Sequence, residues 1–583
     1  DLIKASYIAS PPVPSNRPVI DGTHPMSEND KVIYKDIFGL QQKGEWDKAD
    51  ELVSKLTDLR LYGHVLYQRY MHPTAYRSSY SELRSWLALY SDHPGARDIY
   101  RLARSRQPER AKPLANPMRD TRIQGVLREV SMQPVYTSKH AEYRAQQSRT
   151  SRRLEQRIKA LLDRGSPTAA LHLLRSPSYK GDVTAVHYDR ILSRIAKSYY
   201  HFDKLDEAYE AAKQAAQRSA DKAPLAGWVA GLVSWRRGNF EQAAKYFEMT
   251  SESVYASGWT QAAGSYWASR AHMRSGNFQD VSVYLKRAAS HKRSFYGLIA
   301  ARALGKQIQF DWTKPDFTDR EKALIRQYDR GWRALTLLEI GQIEKAEAEL
   351  IHLNPGRNNP ALQTALVALA QTENLPALSL RLGSAYKSTK GSLYDSALYP
   401  LMSWQPSGGY IIDRALMHAF IRQESRFDIQ ARSHSGATGL MQIMLPTASY
   451  IDGQRTFRAS NRYILENPGT NLEIGQSYIG KLLSTKKVKG DLLSLAIAYN
   501  AGPGNLARWK REMPDDVIQD PLLFIESIPL SETRTFVERV LSNYWMYRFR
   551  LNQETPGLTA IAQDNWPLYR SQEKDNLRLA SLE

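Results

Sequence analysis

The sequence predicts an all-α dominated chain: an N-terminal α-superhelix or solenoid, a helical linker domain, and a distinct C-terminal domain. Three observations predict it. From about residue 27 to 390, apolar residues recur at helical spacing among Ala, Leu, Arg, Lys and Glu, with no sustained strand-like alternation. A weak repeat runs through the same region. After "SWQPSGGY" (403–410) the composition shifts, and Gly, Ser, Asn, Met and Tyr rise.

The repeat is carried by "GEWDKAD" (44–50), "FDKLDEAYEAA" (202–212), "GNFEQAAKYF" (238–247), "GNFQDVSVYL" (276–285) and "GQIEKAEAEL" (341–350). Each has a turn, an apolar anchor and an Ala-containing helix. Periods near 34–40 residues with paired helices suggest an α-solenoid, and the irregular spacing suggests a degenerate one. Aromatics such as Phe240 and Tyr246 are expected in its core. "DWTKPDFT" (311–318) reads as a linker, and the first 25 residues, with "PPVPSNRP" (11–18), as an extended arm. The expected domains are therefore 1–316, 317–395 and 396–583.

Composition narrows the function classes. A chain of 583 residues holds several domains. No apolar run is long enough to cross a membrane. Lys and Arg exceed Asp and Glu by 80 to 60, so an acidic partner is expected: nucleic acid, anionic lipid or a carboxylate-bearing cell-wall polymer. Arg144, Arg149, Arg152, Arg153 and Arg157 form either a solvated helix face or a contact for such a polymer. The absence of cysteine excludes disulfides, thiolate chemistry and Cys-based zinc sites. The chain begins at Asp1 without a signal-peptide pattern, which fits either a cytosolic protein or one whose leader is removed.

Four segments after residue 410 carry chemistry. In "DRALMHAFIRQESRF" (413–427), Asp413 can cap a helix. Leu416, Phe420 and Glu424 share one face of it. A carboxyl that extends an apolar stripe is desolvated, and stays protonated near neutral pH, as a proton donor to a glycosidic oxygen must. The other reading is a frayed helix end with Glu424 in water. In "SGATGLMQIM" (435–444), two glycines allow tight turns, Gln442 offers a donor and an acceptor, and Met441 and Met444 offer adaptable apolar surface. "LAIAYNAGPGNLARW" (495–509) ends a helix at Tyr499-Asn500. "ESIPLSETRTFVERVLSNYWMYRF" (526–549) opens a helix at Ser531-Glu532-Thr533, where Glu532 could simply complement the helix dipole. Asp428 is expected outside the cleft. No metal-ligand cluster, phosphate loop or serine-nucleophile elbow appears.

Together the four segments resemble the catalytic domain of the soluble lytic murein transglycosylases, the lysozyme-like SLT family. The pattern is Glu-Ser at 424–425, Gly-Leu-Met-Gln at 439–442, Ala-Tyr-Asn-Ala-Gly-Pro at 498–503 and Glu-Thr-Arg at 532–534. It spans roughly residues 396–550. More loosely, the helical region looks like the superhelical arm of the large ring-shaped members. One departure is "IMLPTA" (443–448), where many members place Pro directly after the Met.

The resemblance implies a mostly helical, α+β lysozyme-like domain in which Glu424 is the single acid/base. It implies that Ser433, Gln442 and Met444 line a glycan cleft. Tyr499 would hydrogen-bond near the catalytic carboxyl, with Asn500 supporting that wall. Glu532 would bind substrate across the cleft, and Tyr544 would face the same cleft. It further implies cleavage of peptidoglycan to 1,6-anhydro ends by a periplasmic monomer whose leader is removed. Other cell-wall enzymes are candidate partners; nucleic acid, metal and cofactor are not expected. A goose-type lysozyme hydrolase and a helical-repeat binding protein with a relic catalytic domain are the alternatives.

Overall fold

A computed structural model describes residues 24–119, 121–123, 147–179, 181–356, 358–387, 391–453 and 456–572. The expected N-terminal arm, up to residue 23, and Arg144 lie outside the described residues. The architecture is helical throughout. Among the described residues, extended backbone pairs only at isolated bridges, so the expected β contribution to the C-terminal domain shrinks to Arg432–Thr438, Thr438–Ile443 and Asp491–Leu568.

The repeat grammar has one backbone cause. Gly44, Asp203, Gly238, Gly276 and Gly341 all adopt the left-handed conformation. In each case the next residue's N–H donates to a carbonyl five residues back, as Glu45 does to Leu40 and Asn239 to Ser234. This closes the preceding helix and turns the chain sharply. The next helix then starts at Trp46, Leu205, Phe240, Phe278 or Ile343. Glycine serves four of these turns because a left-handed residue with a Cβ is strained. Tyr246 is buried as expected, whereas Phe240 is only half-buried and Phe278 is exposed.

By compactness the chain forms two units, one of residues 1–126 with 312–400 and the other of 127–311 with 401–583. This grouping follows packing rather than chain order; the linear division at 316 and 395 remains a proposal about modules.

The first unit joins distant segments through a buried ionic cluster. Glu349 accepts from Arg333 Nε at 2.6 Å and Nη2 at 3.0 Å. Its Oε1 lies 2.9 Å from His64 Nε2. Burial would raise this carboxyl, but Arg333 and His64 hold it below the ordinary range. Trp86 and Trp332 are buried in the surrounding core.

The second unit packs helical pairs from Arg149–Asp163 to Phe295–Ala303 beside the C-terminal helices. Tyr296 Oη donates to Glu526 Oε1 at 2.5 Å, Arg270 pairs with Asp520 at 2.8 Å, and Phe295 stacks on Trp545 at 5.4 Å between centroids.

Within this unit, helix Arg414–Glu424 runs against the 20-residue helix Ser531–Arg550. Asp413 occupies the N-cap position but its side chain makes no capping bond, contrary to expectation. It pairs instead with Arg548 Nη2 at 2.5 Å and accepts from Tyr569 Oη. Both partners of the ion pair are fully buried, so each satisfies a charge the other could not leave alone. Replacing Arg548 with Met should strand Asp413 and cost about 3–5 kcal/mol, read as a lowered denaturant midpoint in the transition of this unit. A cost below about 1 kcal/mol would show that the pair does not hold the helices. Asp413→Asn in the Arg548→Met background should recover part of the loss.

Candidate active site

Glu424 is the last residue of its helix. Phe420 and Leu416, one and two turns earlier on the same face, are buried. The Phe420 ring lies 4.6 Å from that of Tyr499, which stands 5.4 Å from Tyr478 and stacks parallel to Phe536 at 6.4 Å. Glu424 therefore ends an apolar stripe against an aromatic wall. Burial raises its carboxyl to about 8, and the charge of Glu532 adds to the effect. At neutral pH the group holds a proton. The frayed-end reading fails here, because the carboxyl is largely withdrawn from water.

The chain after Glu424 is forced into an unusual turn. Ser425 closes the helix through its N–H to Ile421 O, and Arg426 and Phe427 both take positive φ. Two consecutive left-handed residues that are not glycine store local strain. The buried Phe427 ring beside His418 holds the turn in place. Asp428 is exposed and accepts from Gln430 N at 2.9 Å, an Asx-type turn.

The 431–444 loop is folded on itself. Gly439 has φ +77°, and a Cβ there would meet Leu465 O at 2.4 Å, so only glycine fits. Gln442, also at positive φ, donates its amide to Ala431 O at 3.0 Å and Gly439 O at 2.9 Å. Its donor side is thus committed to the loop. Met441 is buried against Gly475, while Met444 caps the next helix and stays exposed. The extra residue before Pro446 leaves that proline in the first turn of helix Leu445–Asp452. Ser433 is exposed, and its Oγ accepts from Ala437 N at 2.9 Å.

Tyr499 ties this loop to the Glu424 wall. Its hydroxyl donates to Met441 O at 2.7 Å. Burial pushes the phenol well above its ordinary value, and the Glu424 charge pushes it further. Asn500 accepts from Thr533 Oγ1 at 2.7 Å, which fixes the start of helix Ser531–Arg550, where the exposed Glu532 stands. Glu424, Tyr499 and Glu532 are thereby electrostatic neighbours, with Asn500 behind them and Gln442 and Met444 on the adjoining loop.

Tyr544 does not join them. It is buried at the other end of the helix pair, hydrogen-bonded to Arg548 and at 3.4 Å to Asp413. Three turns separate it from Glu532 on one helix, and burial against Asp413 points it into the core. The residue the motifs missed is Asn471. Buried in the first turn of helix Pro468–Ser484, it accepts from Met441 N at 2.9 Å and donates to Thr438 O at 3.0 Å and Leu465 O at 2.8 Å. An Asn inside a helical run is the only signal the sequence offers for this brace.

Residues 404–520 match the family model described as the Transglycosylase SLT domain. The soluble lytic murein transglycosylase of Salmonella typhimurium is 28% identical over 298 residues, covering 50% of this chain and 44% of the relative. That of Escherichia coli K12 is 27% identical over 303 residues, covering 51% and 45%. The chain thus spans under half the length of these curated relatives. Among solved structures, the 70 kDa soluble lytic transglycosylase of Escherichia coli superposes with a TM-score of 0.56 at 17% identity over 93% of this chain and 100% of the other. An inactive mutant of the Pseudomonas aeruginosa lytic transglycosylase Slt gives 0.54 at 20% identity over 90% and 87%. These likenesses establish a shared helical fold.

The raised carboxyl makes two measurable statements. Carbon-13 titration of labelled glutamates, differenced against Glu424→Gln, should place Glu424 near 8. Glu532→Gln should move it down, since a neighbouring negative charge is removed. Because the folded value is raised, Glu424 favours folding fully below its unfolded value of 4.5 and loses that contribution as pH rises through about 8. A midpoint near 4.5 in the folded protein would remove the desolvated-acid reading.

Proposed function

We propose that this chain, which carries an SLT-type transglycosylase domain, is a lytic transglycosylase that cleaves the β-1,4 bond between N-acetylmuramic acid and N-acetylglucosamine in peptidoglycan. One observation carries the reading: the carboxyl of Glu424, at the end of an apolar stripe, is kept protonated at neutral pH by its aromatic wall. Most glycosidases pair such an acid with a nucleophilic or water-activating carboxylate. Here the other carboxylate in the neighbourhood, Glu532, is exposed at a helix start and is assigned to substrate binding.

One carboxyl suffices when the substrate supplies the nucleophile. Glu424 gives its proton to the glycosidic oxygen as the bond breaks. The muramyl acetamide oxygen stabilises the cation that develops at C1. Glu424, now a carboxylate, accepts the proton of the C6 hydroxyl, whose oxygen closes on C1 to give the 1,6-anhydro ring. Attack within one sugar carries a large proximity advantage. The proton returns to Glu424, and no water is consumed.

In this reading Tyr499 and Asn500 hold the wall behind the acid. Met444, Ser433 and the acceptor side of Gln442 border the glycan, and Glu532 both binds it and adds to the effect of burial on Glu424. The arm of the same unit is assigned to holding glycan strands. Arg149, Arg152 and Arg153 are exposed on helix Arg149–Asp163, a basic face suited to peptide carboxylates. A periplasmic location and action as a monomer belong to the same proposal.

Glu424→Gln should fold and lose activity on purified sacculi by at least about 10²–10⁴-fold, since the amide keeps the shape and gives no proton. Retention of more than a tenth of the wild-type rate would end the assignment. Glu532→Gln should be milder. Digestion in heavy-oxygen water separates ring closure from hydrolysis by mass spectrometry. Unlabelled 1,6-anhydro ends are expected, and label at C1 in most ends would make the chain a lysozyme-type hydrolase instead.

A further inference from the structure

A second cleft, of about 650 Å³, opens at the far end of helix Ser531–Arg550. Its wall includes Phe549, which at 1.5 Å per residue lies roughly 25 Å along the helix axis from Glu532. It is therefore separate from the Glu424 cleft. The volume falls in the range that holds a small molecule of one or two rings.

The lining is chemically mixed in a telling way. Trp566, half-exposed, supplies an aromatic surface, while Gln563 and Asn565 are exposed amides able both to donate and to accept. Arg302 enters from helix Phe295–Ala303 and Arg570 from the C-terminal segment, against one carboxylate, Glu554. Aromatic surface with planar amides suits the faces and hydroxyls of a pyranose. The surplus of guanidinium over carboxylate suits an attached anionic group.

The rim is built rather than loose. Arg302 Nη2 donates to Thr555 Oγ1 at 2.6 Å, which orients one guanidinium. The carbonyl of Arg570 accepts from the buried Arg548 at 2.6 Å. Pro567 O accepts from Leu492 N at 2.9 Å, and Tyr569 N donates to Gly490 O at 2.8 Å. The backbone that presents Trp566 and Arg570 is thus tied at three points to the body of the domain, so little ordering entropy is left for a ligand to overcome.

We propose that this cleft is a second saccharide site, selective for a sugar of one or two rings that bears a carboxylate. Its identification with a muramyl-containing fragment rests on the function proposed above. The occupant is then a piece of the polymer, or a product of its cleavage, held away from the reacting bond.

Hydrogen-exchange mass spectrometry on the full chain carrying Glu424→Gln tests this without turnover. The probes are the disaccharide N-acetylglucosaminyl-N-acetylmuramic acid and its neutral counterpart, di-N-acetylchitobiose. The acidic disaccharide should slow exchange across 549–570. The neutral one should do so at least about tenfold more weakly. Arg570→Ala should weaken the acidic disaccharide by about tenfold at 549–570 and leave protection around 424–444 unchanged. Equal protection of 549–570 by both probes, none by either, or no effect of Arg570→Ala would overturn the proposal. Protection near 424–444 is scored separately: its absence with both probes would count against the catalytic reading, and its presence alone against the second site.

Discussion

The buried pair of Asp413 and Arg548 sets the geometry on which the catalytic domain depends. It joins the beginning of one helix to the end of another, and so fixes them antiparallel. Everything at the opposite end follows. Glu424 closes the shorter helix there, and Glu532 opens the longer one. The two carboxyls come close enough to feel each other because the arginine lies where it cannot be released without a large desolvation penalty. Asp413 gives up the capping role that its position suggests, and Tyr544 is drawn into the same network. A charge interaction in the core thereby sets where the buried acid and its charged neighbour stand.

Much of this was legible in the sequence because it is local. The i, i+4, i+8 spacing of Leu416, Phe420 and Glu424 states which face is apolar, and the family resemblance, not the spacing, singles out Glu424 as the acid. The turn residues of the solenoid are legible for the same reason. A left-handed residue two positions before a helix is a backbone requirement that composition reveals. Gln442 and Tyr499 were found, but their polar tips serve the loop first, and only contacts to Ala431, Gly439 and Met441 could show that.

What escaped the sequence is long-range. Tyr544 sits within a recognisable helix, and nothing local says that its ring turns toward Asp413, 131 residues earlier. Asn471 resembles any polar residue in a helix until its three loop partners are known. The grouping of 1–126 with 312–400 is of the same kind. It rests on Glu349 meeting His64 across 285 residues, a pairing that neither segment announces.

That last pairing bears on how the chain must be made. Domains generally fold as synthesis proceeds from the N-terminus, but the first 126 residues cannot complete their unit alone. His64 and His93, buried and hydrogen-bonded to each other, wait for the carboxylate of Glu349. Until it arrives, a half-built core around Trp86 lacks the Trp332 helix that covers it. The whole span from 127 to 311 is produced in the interval and can fold without this partner only in so far as its neighbouring helices pair locally. Contacts of such high sequence separation are slow to form. The early segment is therefore completed only once residues 332–349 are present.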